Sequence, residues 1–293
     1  MTSGLRLAVS NIAWDPSEDD EIAAVLTREG ASGVEIAPTK WRDKPLDATA
    51  REIAHYRTTW EDRGLRIVSL QALLFGRSDL ELFGATRFEL RDYLRRVIEL
   101  GAGLGAHALV FRSPKNRLRG PLAMSDAMAS ATDFFREIGD FAAEHGVTIA
   151  IEANPPEYGC DFITRTDEAV ELCRAIASAG IGVNGDLGGM SMSGDDPRSV
   201  IESASDCIVH FHASEPNLAE LSAASNHAAA AAGLVAIGYR GWVSVEMREA
   251  GSGKREAGNA EERLDRQKAR SANFQAVERA VRLAKTAYSS AIS

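Results

Sequence analysis

The sequence predicts an α/β fold in which a parallel sheet of eight strands closes into a (β/α)8 TIM barrel. The first observation is a set of eight short β-rich runs that begin about thirty residues apart, the length of one βα unit. The second is that longer amphipathic stretches separate these runs, and the third is that four of these stretches end in glycine just before the next run. Alternating strands and helices favour a parallel sheet, and eight repeats in 293 residues favour a closed barrel.

Each predicted element follows from its local pattern. The strands are predicted at 5–14, 33–38, 65–73, 108–113, 147–154, 181–187, 207–214 and 242–247. The helices are predicted at 17–31, 46–64, 123–146, 164–180, 226–239 and 273–288. Ser17 is the predicted N-cap of the first helix and Gly30 its end. The helix within 164–180 is expected to begin at Thr166 or Asp167 and to end at Gly180, and the helix within 226–239 rests on five consecutive alanines.

The chain is predicted to form a single domain across residues 1–293, because no linker-like stretch divides it. The most loop-like segment, 249–265, is predicted to be a mobile loop after the eighth strand. A doubly wound open sheet is the alternative fold. Such a sheet would usually carry a glycine-rich phosphate loop after its first strand, whereas here that strand runs into NIAWDPSEDD.

Composition and charge narrow the classes of partner. The net charge of −9 argues against nucleic acid, because nucleic-acid-binding proteins usually carry a basic excess or patch. No run of eighteen apolar residues is present, so no membrane-spanning helix is expected. The amino-terminal residues do not have the pattern of a signal peptide. Cys160, Cys173 and Cys207 are sparse and widely spaced, which suits free thiols in the cytoplasm.

Polar side chains follow four consecutive predicted strands. Glu152 ends the fifth strand, Asp186 the sixth and Glu246 the eighth, while His210 and His212 alternate along the seventh. Because the carboxyl ends of barrel strands meet at one rim, these side chains are expected to lie close together. Three crowded carboxylates repel one another, and a divalent cation removes that conflict. Each residue alone could instead be a capping group or a core histidine, but four on successive strands favour a metal site.

Four motifs resemble one known family across nearly the whole chain. IEANPPEYG, GDLGGM, VHFHASE and GYRGWVSVEM are similar to motifs of the xylose isomerase-like TIM barrels, in the sugar phosphate isomerase/epimerase group that includes the ketose 3-epimerases. Residues 69–84 also resemble the third-strand segment of that group. The resemblance implies a metal tetrad of Glu152, Asp186, His212 and Glu246. Mn²⁺ is the expected ion, with Mg²⁺, Co²⁺ and Zn²⁺ as alternatives.

The resemblance also implies a reaction on a sugar, sugar acid or sugar phosphate. Glu152 and Glu246 would act as the acid–base pair as well as ligands. One glutamate would remove the proton from the carbon next to a carbonyl, giving an enediolate, and the other would return a proton. A metal at the developing oxyanion makes such a weak carbon acid accessible.

Four further residues are candidates for substrate binding. His210 would contact substrate or orient the site, although the alternative assignment makes His210 the ligand and His212 its neighbour. Glu157 resembles a substrate-contacting glutamate of the epimerases, with an exposed loop acid as the alternative. Arg112, at the end of the fourth strand, could bind a substrate hydroxyl, carboxylate or phosphate, or form a rim salt bridge. Arg248 lies two residues after Glu246 and would project with it.

The chain departs from the ketose 3-epimerase pattern in two places. No histidine follows the sixth-strand aspartate in DLGGMSMSG, and SEPNLAELSAASNHAAAAAG lacks an Asp-Asn-Arg-like run. The substrate therefore stays open, and three other functions compete. They are a lyase acting on a keto-inositol or dehydroshikimate-like compound, a non-catalytic metabolite-binding barrel, and a nuclease, which the acidic charge disfavours. A homodimer is expected from the resemblance alone.

Overall fold

Eight parallel strands close into a barrel in the computed structural model, which describes residues 5–249 and 260–289. The strands pair in chain order, and β1 closes the barrel by pairing with β8. Their bounds are β1 Arg6–Ser10, β2 Gly33–Ile36, β3 Arg66–Leu70, β4 Ala108–Phe111, β5 Thr148–Glu152, β6 Ile181–Asp186, β7 Ile208–Ser214 and β8 Trp242–Glu246. The predicted parallel eight-stranded TIM barrel is therefore confirmed, although most strands are shorter than the sequence pattern suggests.

Helices surround the barrel between the strands. Their bounds are α1 Asp19–Glu29, α2 Pro38–Trp41, α3 Ala50–Asp62, α4 Arg87–Leu104, α5 Met124–Glu144, α6 Thr166–Ile176, α7 Leu187–Met192, α8 Pro197–Ser203, α9 His227–Ala236 and α10 Ala260–Ala284. All six predicted helical stretches contain a helix. The sequence analysis missed α4, whose buried face repeats Leu90, Leu94 and Val97 at helical spacing.

Several predicted boundaries are wrong for local reasons. Asp15, not Ser17, is the capping residue, because its carboxylate accepts the backbone N–H of Ser17 at the start of a 3-10 turn that leads into α1. Gly30 ends α1 in the left-handed conformation, as predicted. The helix predicted to end at Gly180 stops at Ile176, where Ala177 adopts the left-handed conformation.

The predicted loop 249–265 is only partly covered by the described residues. Residues 250–259 lie outside them. Residues 260–265 belong to α10, so the loop prediction is wrong there. A long charged helix with a weak apolar periodicity resembles loop in sequence, and this explains the error.

Small and apolar side chains fill the barrel near the amino-terminal ends of its strands. Ala8, Val68 and Trp242 pack together around Gly33. A Cβ atom at Gly33 would lie 2.8 Å from Val68 and 2.9 Å from Trp242, so only glycine fits this approach. This packing closes the amino-terminal end of the barrel and leaves the polar side chains at the carboxyl ends of the strands.

Two expectations drawn from composition can be compared with the structure. Within 5–249 and 260–289, no helix combines the length and the apolar character needed to cross a bilayer. The three cysteines are buried and free. The single-domain prediction for 1–293 stays a prediction.

Candidate metal centre

The four predicted metal ligands lie on four adjacent strands. Glu152 ends β5, Asp186 ends β6, His212 lies in β7, and Glu246 ends β8. The β6–β7 register places Asp186 opposite His212, and the β7–β8 register places Ser214 opposite Glu246. Because all three carboxylates and the imidazole project into the barrel from its carboxyl end, the sequence motifs converge on one point.

His212 faces the three carboxylates with one ring nitrogen. Its Nδ1 atom lies 3.4 Å from Glu152 Oε2, 3.5 Å from Glu246 Oε2 and 3.9 Å from Asp186 Oδ2. This nitrogen is buried and makes no hydrogen bond to any residue in the described ranges. A buried nitrogen without a partner, facing three carboxylate oxygens, has the donor set and the geometry to bind a divalent cation.

The pKa values of the cluster reflect the crowding of its charges. Burial, reinforced by Glu152 and Glu246, raises the pKa of Asp186 to about 6. Burial also favours the neutral form of Glu152, but Arg112 and His212 outweigh it and hold the pKa of that carboxyl below its ordinary value. Burial opposes protonation of His212, yet Glu35 and the neighbouring carboxylates raise its pKa well above the usual range. Positive charge is therefore favoured at the centre of the cluster, either as a proton or as a metal ion.

Amide and hydroxyl groups orient the carboxylates. Asn154 donates to Glu152 Oε1 at 3.1 Å, and Asn184 donates to Glu152 Oε2 at 2.8 Å. Ser214 donates to Asp186 Oδ2. The other oxygen of Asp186 accepts the backbone N–H of Gly189 at 2.6 Å and so caps α7. These contacts hold Glu152 and Asp186 in place before any ligand binds.

Glu35 is the main residue that the sequence analysis missed. Its Oε2 atom accepts hydrogen bonds from His212 Nε2 at 3.1 Å, His210 Nε2 at 2.9 Å and Ser69 Oγ at 2.7 Å. Gln71 Nε2 donates to the other oxygen at 3.0 Å. Because Nε2 of His212 donates to Glu35, Nδ1 is the nitrogen that offers a lone pair to a metal once the ring has lost its second proton. The available signal was a single acid in the otherwise apolar second strand, GVEI.

His210 lies beside Glu35 and does not contact the carboxylate cluster directly. Its ring packs edge-on against His212 with centroids 5.3 Å apart, and burial lowers its pKa. Glu35, His210 and His212 also form a compact group of metal-ligating atoms. Their contacts of 2.9 and 3.1 Å are hydrogen bonds, so this group supports the imidazoles.

Of the other predicted substrate-binding residues, one lies in the carboxylate cluster and two lie at the surface. Arg112 directly contacts Glu152 and Glu246, which raise its pKa above its usual value although burial opposes this. Glu157 is exposed on a 3-10 turn after β5. Arg248 is exposed, and its backbone N–H donates to Leu218. The structure therefore brings Arg112 into the cluster and leaves the other two side chains at the surface, where their substrate roles stay predictions.

A closed barrel with a carboxylate–histidine cluster at the carboxyl ends of its strands defines a class of TIM-barrel proteins built around a candidate metal site. The chain belongs to the xylose isomerase-like TIM barrel family, which it matches over residues 23–270. This confirms the family predicted from the motifs.

Solved structures share the whole fold at low sequence identity. A D-psicose 3-epimerase in the presence of D-fructose is 16% identical, with a TM-score of 0.75 and coverage of 97% of this chain and 99% of that chain. An L-ribulose 3-epimerase is 18% identical, with a TM-score of 0.70 and coverage of 96% and 97%. The IOLI protein with a binding zinc atom is 16% identical, with a TM-score of 0.69 and coverage of 97% and 100%. A search of curated proteins finds no match.

Proposed function

We propose that this protein is a divalent-metal-dependent isomerase or epimerase that acts on a carbohydrate through an enediolate. The observation that carries the proposal is the buried Nδ1 atom of His212, which has no hydrogen-bond partner in the described chain and faces three carboxylates. The structural similarity to two sugar 3-epimerases supports the same class of reaction.

The metal would be held by Glu152, Asp186, His212 and Glu246. Three oxygen ligands and one nitrogen favour Mn²⁺, with Mg²⁺, Co²⁺ or Zn²⁺ as alternatives. When bound, the ion supplies a Lewis acid that stabilises negative charge on a substrate oxygen. Glu35 would keep His212 in the tautomer that leaves Nδ1 free of a proton.

Glu152 and Glu246 are suited to move protons. They approach the cluster from β5 and β8, and each has one oxygen near His212 and another near Arg112. Their side chains are buried within the cluster. One carboxylate would take the proton from the carbon next to the carbonyl. The other would return a proton to the opposite face for epimerisation or to the neighbouring carbon for isomerisation.

The experiment is a metal titration followed by a substrate screen in D₂O. Sugars, sugar acids and sugar phosphates are incubated with Mn²⁺-loaded protein, and NMR follows deuterium incorporation next to the carbonyl. We expect Glu152→Gln and Glu246→Gln to abolish turnover on every compound that exchanges, because each removes a base. Absence of bound divalent metal, with full turnover in both variants, would refute the proposal.

Product mass distinguishes the competing reactions. An isomerase or epimerase leaves the mass unchanged, whereas a lyase acting on a keto-inositol or dehydroshikimate-like compound releases water from the same kind of intermediate. Tight binding without exchange would instead identify a metabolite-binding barrel. The homodimer and the cytoplasmic location stay predictions.

A further inference from the structure

We propose that Arg112 binds a carboxylate of the substrate, and that the substrate is therefore a sugar acid whose carboxylate lies beside the carbons between which the proton moves. This inference rests on the proposed function and specifies the substrate class of the same site. It begins from the position of a single guanidinium group at the end of β4.

Arg112 bridges the two glutamates that would handle the proton. Its Nε atom lies 3.3 Å from Glu152 Oε1, and its Nη1 atom lies 3.2 Å from Glu246 Oε1. His212 Nδ1 is nearer to Oε2 of each glutamate. The guanidinium and the candidate metal position therefore use different oxygens of Glu152, whereas Arg112 Nη1 also lies 3.4 Å from Glu246 Oε2, the oxygen that faces His212.

Arg112 is also the more accessible member of this group. Its side chain is 22% exposed, whereas those of Glu152 and Glu246 are 1% and 0% exposed. Its Nη2 atom makes no hydrogen bond to any residue in the described ranges, and the guanidinium lies over the Tyr158 ring at 5.2 Å. An arginine held on an aromatic ring with one nitrogen free is prepared to bind a planar anion.

Arg112 makes the binding of an anion at this site less costly. Three carboxylate ligands and one divalent ion would leave a net charge of −1, which Arg112 offsets, while the buried Glu35 carboxylate behind His212 adds one further negative charge. In a poorly solvated site, a monoanion that contacts the guanidinium is bound at lower electrostatic cost than one bound without it. The free Nη2 atom can also donate a charge-assisted hydrogen bond to a carboxylate, which is stronger than its hydrogen bond to a neutral sugar hydroxyl.

The reach of Arg112 distinguishes a carboxylate from a terminal phosphate. Its nitrogens contact the same glutamates that would touch the reacting carbons. An anion bound there must be attached close to those carbons, as a carboxylate at the end of a sugar-acid chain is. A phosphate ester at the far end of a five- or six-carbon chain would lie away from the glutamates. A purely structural salt bridge is the competing explanation, and it predicts no preference between charged and neutral ligands.

The test compares three unreactive probes of similar length: gluconate, glucitol and glucitol 6-phosphate. Mn²⁺ binding is measured first by electron paramagnetic resonance, and probe binding is then measured by calorimetry with and without the ion. We expect wild type to bind gluconate about 10- to 100-fold more tightly than glucitol, as a charge-assisted hydrogen-bonded pair provides. We expect Arg112→Gln to lose this preference and Arg112→Lys to keep part of it.

Lys115→Gln is the matched control, because it removes one exposed positive charge three residues further along the same rim. It should keep the gluconate preference. Equal binding of gluconate and glucitol by wild type, a preference that survives Arg112→Gln, or tighter binding of glucitol 6-phosphate would each overturn the inference. Failure to bind Mn²⁺, Mg²⁺, Co²⁺ or Zn²⁺ would refute the proposed function, and this outcome is distinguishable because metal binding is measured first and independently of the probes. Thermal unfolding of each variant confirms that it is folded.

Discussion

Replacing Asp186 with asparagine should make the metal-free protein more stable at pH 8. The carboxyl group is largely buried, with its side chain 12% exposed, next to Glu152 and Glu246, and these surroundings raise its pKa from 3.8 to about 6. Below pH 3.8 the group is protonated in both the folded and unfolded states. As pH rises towards 6, the unfolded chain releases the proton while the folded chain retains it, so stability is lost across this interval.

The magnitude follows from the shift. A difference of about two pKa units corresponds to roughly 3 kcal/mol at pH 8, and we expect Asp186→Asn to recover about 1–3 kcal/mol of it. Asparagine keeps the side-chain oxygen that accepts the backbone N–H of Gly189, so the cap of α7 is preserved. The gain comes from removing one charge from the cluster.

The assay is urea unfolding in the presence of EDTA at pH 8 and pH 5. The advantage of Asp186→Asn should be largest at pH 8 and smaller at pH 5. Added Mn²⁺ should reverse the order, because metal at 100 times its dissociation constant stabilises wild type by about 2.7 kcal/mol while the variant has lost a ligand.

Asp196→Asn is the control, since Asp196 caps α8 from an exposed position and its pKa is lowered by its hydrogen bonds to Ser199. It should show no gain at pH 8. Equal or lower stability of metal-free Asp186→Asn at that pH would refute the reasoning.

Three further predictions concern the same site and the packing around Gly33 at the other end of the barrel. Glu35→Gln should weaken Mn²⁺ binding about 10- to 100-fold, because it weakens the acceptor that orients His212; an unchanged dissociation constant in a Mn²⁺ titration would contradict this. Metal affinity should fall as pH drops from 8 to 5, because the ion must displace a proton from His212, whose pKa lies well above 6.5, and below about pH 6 also one from Asp186; calorimetry showing equal affinity at pH 5 and pH 8 would argue against that competition. Gly33→Ala should destabilise the protein by about 1–3 kcal/mol, because its new methyl group would lie 2.8 Å from Val68; a change below roughly 0.5 kcal/mol in urea unfolding would exclude this packing account.

The candidate site lowers the stability of the metal-free protein, because it places like charges close together in a poorly solvated region. Three carboxylates share one buried region, and His212 holds a ring nitrogen there without a partner among the described residues. A sequence selected for stability alone would replace such groups with apolar side chains. Groups that are unfavourable in the metal-free protein and favourable around a cation are the pattern expected of a site kept for function.

The sequence by itself was sufficient for the barrel and for the four strand-end residues. A βα repeat can be recognised from the local periodicity of apolar residues. Parallel strands bring their carboxyl ends to one rim of the barrel independently of how the side chains pack. Glu152, Asp186 and Glu246 could therefore be grouped before the structure was known. The helix α4 was missed although its apolar spacing was readable, and the α6 boundary was wrong because Ala177 takes a conformation usually left to glycine.

Only the tertiary structure decided which side chains contact one another across the barrel interior. Glu35 on β2 reaches His210 and His212 on β7 across the interior, at a sequence separation of 175 and 177 residues that no local pattern encodes. The same contact decides which nitrogen of His212 faces the carboxylates. Arg112 reaches Glu246 across 134 residues for the same reason. Strand periodicity places a side chain inside the barrel, but its partner depends on closure and stagger, which exist only once all eight strands have assembled.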